Sequence, residues 1–275
     1  MSVPENLVCP ICFCELKKDG NALKCERRHS YDFASSGYIN LLNPSKKNNA
    51  KTGDSKEMIR ARTSFFKSGA YSKIRDYLID IIAPFKKDVI IDAGCGEGYY
   101  TEGVAEKYPL STLIGFDMSK HGAEHGAKSS KAKNIENTFY SVSNIFSMPL
   151  TDKSADIVIS MFAPVSYEEF ARVLKSGGYL IIGAAGKRHL DGLKKALYDE
   201  VYLNEPSEHS SIEFESAEIK NLAYSVDILG TEVIKSLFTM TPYYHRTTLT
   251  DKEKLDSIET LSTTVEVDFF ILKRK

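Results

Sequence analysis

The sequence predicts an α/β protein, a parallel sheet with helices on both faces, preceded by a small module that cannot hold itself together by apolar burial. Three observations point there. From residue 76 onward short apolar runs alternate with amphipathic stretches, the rhythm of βαβ units. The run Val89-Ile90-Ile91 leads straight into a glycine-rich turn with a helical pattern after it. Four of the five cysteines, Cys9, Cys12, Cys14 and Cys25, crowd into the first 25 residues while Cys95 stands alone. That is local metal chemistry rather than a disulfide framework. The 275 residues, 42% hydrophobic, suffice for one large domain plus a small one. No apolar run reaches 18 residues, and MSVPENLVCP lacks both a basic and an apolar leader region, so a cytoplasmic protein with no membrane partner is expected.

Three zones follow along the chain. Residues 1–43 are rich in cysteine and turn residues and close on the apolar patch Tyr38-Ile39-Asn40-Leu41-Leu42; a piece this small needs a staple. Residues 44–75 read as a basic linker and then a helix through Met58, Ile59, Phe65 and Phe66. This zone carries Lys46, Lys47, Lys51, Lys56, Arg60, Arg62, Lys67, Lys73 and Arg75 against Asp54 and Glu57, a local balance of +7 in a chain of formal charge −1. Such a stretch either lies against phosphates or is a solvated linker. Residues 76–275 form the large domain. Strands are expected at 89–92, 112–117, 138–142, 156–162 and 178–184, and helices at 99–107, 119–130 and 166–174, with Lys-Ser-Gly-Gly at 175–178 as a stop. Past Leu190 the pattern predicts a long helix to about Leu203, then mixed elements and a final strand over 265–272.

In the first zone, Cys9-x2-Cys12, twelve intervening residues and Cys25-x3-His29 make a Cys3His set. Closely spaced thiolates from two tight knuckles can meet one tetrahedral ion, and Gly20-Asn21 suits the hairpin between them. Soft thiolates with one imidazole favour Zn²⁺, and four protein ligands make such a site closed and structural. Free or redox-active cysteines are the alternative, with Cys14 a substitute ligand.

In the second site, Asp92-Ala93-Gly94-Cys95-Gly96-Glu97-Gly98 follows its strand directly, and Asp117 ends the next strand nineteen residues after Gly98. Glycines let the backbone approach a ligand closely, and a carboxylate at the second strand end accepts from ribose hydroxyls. A dinucleotide site needs G-x-G-x-x-G with pyrophosphate on the helix N-terminus. Here the spacing is G-x-G-x-G and Asp92 precedes it, which repels pyrophosphate but suits the ammonium and sulfonium of S-adenosylmethionine. The fold expected is therefore a class I Rossmann-like S-adenosylmethionine methyltransferase domain behind a small N-terminal zinc-binding module. Asn144, after the third strand, falls where such enzymes often hold the adenine edge, and Met118 either packs on the adenine ring or belongs to the core.

The segments CPICFCEL…CERRHSYDFASSGYINLL, GDSKEMIRARTSFFKSGAY, DAGCGEGYY, FAPV and GKRHLDGLKKALYDEV together resemble the bacterial 23S ribosomal RNA (guanine-N1)-methyltransferases of the RlmA type, from Cys9 to about Met240-Thr-Pro-Tyr-Tyr. The resemblance implies a zinc-binding RNA-recognition module, a Rossmann-like methyltransferase domain, and a homodimer whose cleft accepts a hairpin of domain II of 23S ribosomal RNA. It places Tyr71, the Gly98-Tyr99-Tyr100 turn and His189 at the cofactor and Cys9, Cys12, Cys25 and His29 on zinc. The family's two branches methylate nearby guanines of that hairpin. Frequent Lys, Asn and Ile hint at the Gram-positive branch, which is linked to macrolide resistance.

Guanine N1 lies on the Watson–Crick edge, so the base must be looped out or extruded, and it must lose a proton to become a good nucleophile. Enzymes methylating exocyclic amines commonly carry Asn/Asp-Pro-Pro-aromatic after the fourth strand; here the sequence is Met161-Phe162-Ala163-Pro164, without amide or carboxylate. Phe162 either stacks on the base or belongs to the core. Glu168 and Glu169, with His189, are candidate proton acceptors, although glutamates also favour a helix first turn for its dipole. RNA contacts are expected from Lys24, Arg27 and Arg28, from the basic zone, and from Tyr243, Tyr244, His245 and Arg246. The competing readings are a methyltransferase for another RNA or a small molecule, and a non-catalytic zinc-bearing adaptor.

Overall fold

The computed structural model describes residues 3–43 and 53–275; Lys46, Lys47 and Lys51 lie outside the described residues. The N-terminal module holds β1 (Lys17–Asp19), β2 (Ala22–Lys24) and β3 (Ser30–Asp32) as a three-stranded antiparallel sheet, followed by the short β4 (Ile39–Asn40). Asp19 pairs with Ala22, so Gly20-Asn21 is the two-residue hairpin expected, with Gly20 at φ +60°.

Two helices come next, α1 (Lys56–Phe66) and α2 (Ser72–Ile82). Ser55 caps α1 by accepting from the Met58 amide. The α/β core then runs β5 (Val89–Ala93), α3 (Tyr99–Lys107), β6 (Thr112–Asp117), α4 (Lys120–Ala132), β7 (Thr138–Val142), β8 (Ala155–Met161), α5 (Tyr167–Val173) and β9 (Leu174–Ala185). These agree with the expected elements to within a few residues. Lys175-Ser-Gly-Gly ends α5 but becomes an irregular entry into β9, with Gly177 at φ +76° and a register shift opposite Ala155/Ile157.

Beyond β9 the expectation fails in one place. The helix after Leu190, α6 (Asp191–Leu197), stops six residues short of Leu203. The chain doubles back there, because the Lys194 ammonium donates to the Tyr202 carbonyl and to Asn204 Oδ1, and the Asn204 amide bonds the Lys187 carbonyl. The remainder is a long hairpin, β10 (Phe214–Leu229) against β11 (Thr260–Arg274), whose connection carries α7 (Thr231–Thr239), a 3-10 turn over Pro242–His245 and α8 (Leu249–Glu253).

The main sheet has the order β10-β11-β9-β8-β5-β6-β7-β4. Strands β4 to β9 are parallel, and β11 inserts antiparallel between β9 and β10. The order reverses at β5, so its carboxyl end opens the crevice where ligands of such sheets bind. The N-terminal module is joined to this sheet. β4 extends its edge by pairing with β7, and Leu7, Leu16 and Leu23 share one apolar core with Phe116, Phe139 and Leu150. Apolar burial across this junction therefore adds to whatever the metal ligands supply.

Candidate functional site

In the module, Sγ of Cys9, Cys12 and Cys25 and a ring nitrogen of His29 all lie within 4.8 Å of one another. Sγ of Cys12 and Cys25 are 3.6 Å apart, against about 3.8 Å for two thiolates at tetrahedral angles around zinc. His29 Nδ1 stands 3.4 Å from both Cys9 and Cys25. The two knuckles are closed by Phe13 and Arg28, both left-handed, whose amides donate to the carbonyls of Cys9 and Cys25. Burial opposes a charge on Cys9, but hydrogen bonds from Tyr31 and from backbone amides outweigh it and bring the thiol down to about 7. Cys14 turns away to Glu26 and is no substitute ligand. The donor set fits a closed zinc site.

The second site is a cleft of about 1160 Å³ at the carboxyl ends of β5 to β9, roofed by α1 and the 240–246 segment. Its floor is the glycine loop. Gly94 has φ +85° and its position leaves a Cβ only 2.5 Å from Ala163 Cβ, so a side chain there meets both strain and collision. Asp117, at the end of β6, accepts from the amides of Gly96 and Ser119 and still faces the cleft. Arg62 of α1 spans the loop, 2.5 Å from Asp54 and 3.4 Å from Glu97. Burial lifts the Glu97 carboxyl to about 7 against the pull of Arg62. Asp54, Glu97 and Asp117 thus face one guanidinium, and a cationic ligand suits this end of the cleft. Tyr100, also on the wall, has a buried hydroxyl without a partner among the described residues. These features fit S-adenosylmethionine.

Of the expected cofactor residues, Tyr71, Gly94, Gly96, Glu97, Tyr100, Asp117, Met118, Asn144 and His189 line the cleft. Asp92, Gly98 and Tyr99 do not. Asp92 is 1% exposed beneath the loop and accepts from Thr101 Oγ1 at 2.5 Å, so its reach to a ligand runs through the loop rather than directly. Gly98 caps α3 against Tyr140, and Tyr99 stacks outside the cleft on Phe66 at 4.1 Å.

Just past β8, Phe162 is 42% exposed, lines the cleft and has φ +53°, an uncommon conformation for an aromatic residue. It is not core. Tyr71 and His189 stand beside it, with ring centroids 6.3 and 5.5 Å away. The Glu266 amide donates to His189 Nδ1, which leaves the proton on Nε2 to bond the Tyr71 hydroxyl at 2.9 Å. Burial drives His189 down to about 4, so it is neutral, with both nitrogens engaged.

The other candidate proton acceptors are displaced. Glu169 is held by Arg172 and the Met148 amide, facing away, and Glu168 is exposed off the cleft. Tyr243 and Arg246 reach the rim, whereas Tyr244 packs on Phe238 and bonds Glu57. Arg62, Phe146 and His209 are among the wall residues that sequence reasoning missed. In sequence Arg62 is one cation of a basic run, and Phe146 and His209 sit in irregular segments that give no periodic signal.

Sheet order, glycine loop and acidic cleft define a Rossmann-like S-adenosylmethionine-dependent methyltransferase. Residues 84–227 match the methyltransferase-domain family, and residues 7–51 match the zinc-ribbon family described as RlmA, N-terminal. Among solved structures, Bacillus subtilis YcgJ superposes with TM-score 0.50 at 16% identity, over 73% of this chain and 97% of that one, and shows the fold alone. The 23S rRNA (guanine(748)-N(1))-methyltransferase of Streptomyces fradiae is 30% identical over 71% of this chain and 69% of its own length. YxjB of Bacillus subtilis, named as a candidate 23S rRNA (guanine-N1)-methyltransferase, is 29% identical over 96% of this chain and 95% of its own. The chain belongs to the RlmA-type 23S ribosomal RNA (guanine-N1)-methyltransferase family.

Proposed function

We propose that this protein transfers a methyl group from S-adenosylmethionine to N1 of a guanine in a hairpin of domain II of 23S ribosomal RNA. The observation that carries the reading is the cleft itself. It sets an acidic glycine loop beside an exposed, left-handed Phe162, without the amide or carboxylate that grips an exocyclic amine. The cofactor supplies an electrophilic methyl on its sulfonium. Asp117 accepts from the ribose hydroxyls, Asn144 and Met118 border the adenine, and the Glu97–Arg62 pair with Tyr71, Tyr100 and His189 surrounds the amino-acid end. Asp92 holds the loop in shape through Thr101. Phe162 gives the extruded guanine a stacking face, and holding N1 in line with the methyl supplies much of the rate.

The Cys9, Cys12, Cys25 and His29 centre holds Zn²⁺ as a structural ion and presents Arg27 and Arg28 to the RNA. Arg246 at the cleft rim meets a phosphate near the extruded nucleotide. Assembly as a homodimer in the cytoplasm and a contribution to macrolide resistance belong to the same proposal; no helix among the described residues is long and apolar enough to cross a membrane. Reverse-transcription mapping of 23S RNA after incubation with protein and cofactor tests it, because an N1 methyl blocks pairing. A new stop one nucleotide 3′ of a guanine in that hairpin is expected. Cofactor binding with no stop would overturn the reading in favour of another acceptor or an adaptor.

A further inference from the structure

Methylation of guanine N1 needs a group to take the N1 proton, and the cleft narrows the choice. Asp54 and Glu97 are engaged with Arg62, and Asp117 accepts two backbone amides, all at the glycine-loop end. Cys95 is buried beneath that loop and burial raises its thiol well above the ordinary value. His189 has both nitrogens committed. Tyr71, Tyr100 and Tyr243 are held in the phenol form by burial, and Arg246 is only a donor. Among the described residues one ionisable wall residue is left, His209.

His209 stands in the irregular segment between α6 and β10, and its ring is fixed from two sides. Its Nδ1 bonds the Tyr167 hydroxyl at 2.7 Å, and the ring meets Phe270 of β11 edge-on, centroids 4.6 Å apart. Tyr167 opens α5, the helix entered from the Phe162-Ala163-Pro164 turn, and is itself braced by Phe214. The same turn thus leads to the exposed aromatic face and to the group that orients the imidazole. Nε2 has no partner among the described residues.

We infer that His209 is the proton acceptor for the target guanine, oriented by Tyr167 as a positioning residue. The inference rests on the function proposed above. With Nδ1–H donating to the Tyr167 oxygen, the Nε2 lone pair takes the N1 proton. The N–H electron pair becomes available at N1, the N1–methyl bond forms, and the carbon–sulfur pair returns to sulfur to leave S-adenosylhomocysteine. The imidazolium keeps its Nδ1–H···O contact and later gives its new proton to water. Tyr167 is the titratable group that touches the ring, and Phe270 packs on its edge. Burial holds the imidazole below its ordinary value of 6.5, so it is the free base at neutral pH.

The test is single-turnover methyl transfer to a domain II hairpin at saturating cofactor and RNA, followed from pH 5 to 9. Wild type should lose rate as pH falls through a value under 6.5. His209→Gln and His209→Ala should each lose about 100-fold or more, should lose that acid limb, and should bind cofactor as wild type does. Added imidazole should restore part of the His209→Ala rate. Tyr167→Phe should lower kcat with KM unchanged and move the acid limb to lower pH. His209→Gln with wild-type rate and an intact acid limb would overturn the assignment while leaving the proposed function standing. A wild-type protein that modifies no guanine would overturn both.

Discussion

Asp92 at the end of β5 and Glu97 in the loop that follows lie five residues apart, and burial pushes both carboxyls up to about 7. The sign of the consequence is fixed. A carboxyl raised in the folded protein binds more protons there than in the unfolded chain, so between about pH 4 and 7 stability falls as pH rises. A cationic ligand favours the ionised carboxylates, so cofactor affinity should strengthen as pH rises toward 7 and level off above it. Titration calorimetry from pH 6 to 8 should show affinity changing by up to about tenfold per unit for each coupled proton. In Glu97→Gln the dependence should shrink. A flat profile in wild type would show that Glu97 does not face the cation. Gly94 gives a sharper test, because alanine there would occupy a left-handed position and collide with Ala163 Cβ. Gly94→Ala should abolish cofactor binding in the same calorimeter, whereas Gly177→Ala, equally left-handed but with open space around it, should leave binding intact.

At the scale of elements, what was legible in the sequence was what repeats or what must be glycine. The strands β5 to β8 and helix α3 carry apolar runs or periodic faces bounded by turn residues, and their positions could be read to within a residue or two. The Cys9, Cys12, Cys25 and His29 cluster was readable from spacing alone, and the fold brings its four donor atoms within 4.8 Å of one another. Less legible were features set by distant partners. α6 stops early because Lys194 bonds Tyr202 and Asn204, and no local signal announces that turn. β10 is an edge strand with one exposed and one half-buried face, so its pattern is weak until β11 is placed beside it. His209 meets Tyr167 from 42 residues away, a pairing that no local pattern announces. The union of ribbon and sheet through β4 and β7 was also invisible, and it carries a prediction. Zinc ligation by such modules is worth roughly 10–16 kcal/mol of folding free energy. Because Leu7, Leu16 and Leu23 share their core with Phe139, chelation or Cys9→Ser should lower the melting of the whole protein in one calorimetric transition. A small early transition with an unchanged main one would mean that the ribbon unfolds independently.

Across the whole molecule the charges nearly cancel, 36 basic against 37 acidic residues, so affinity for an RNA must come from where cations stand unpaired. Some of the basic zone is already engaged: Arg62 is tied to Asp54 and Glu97, and Arg75 is paired with Asp76 and lies over Tyr99. Lys24 pairs with Asp19. By contrast Arg27, Arg28, Arg60 and Arg246 are exposed and have no ion-pair partner among the described residues. Arg27 and Arg28 sit on the ribbon beside the second knuckle, Arg60 on the roof helix and Arg246 on the rim, so a hairpin held by all of them would span ribbon and cleft together. Each phosphate contact releases counterions, and the slope of log affinity against log salt counts them. Arg246→Ala should therefore weaken RNA binding and reduce that slope by about 1 while leaving cofactor affinity untouched. Arg27→Ala with Arg28→Ala should reduce it further, and the effects should add, since the residues lie on separate elements. An Arg246→Ala slope equal to wild type would remove the rim from the RNA path. An unchanged slope in the ribbon double variant would leave the ribbon a purely structural support for the sheet edge it extends.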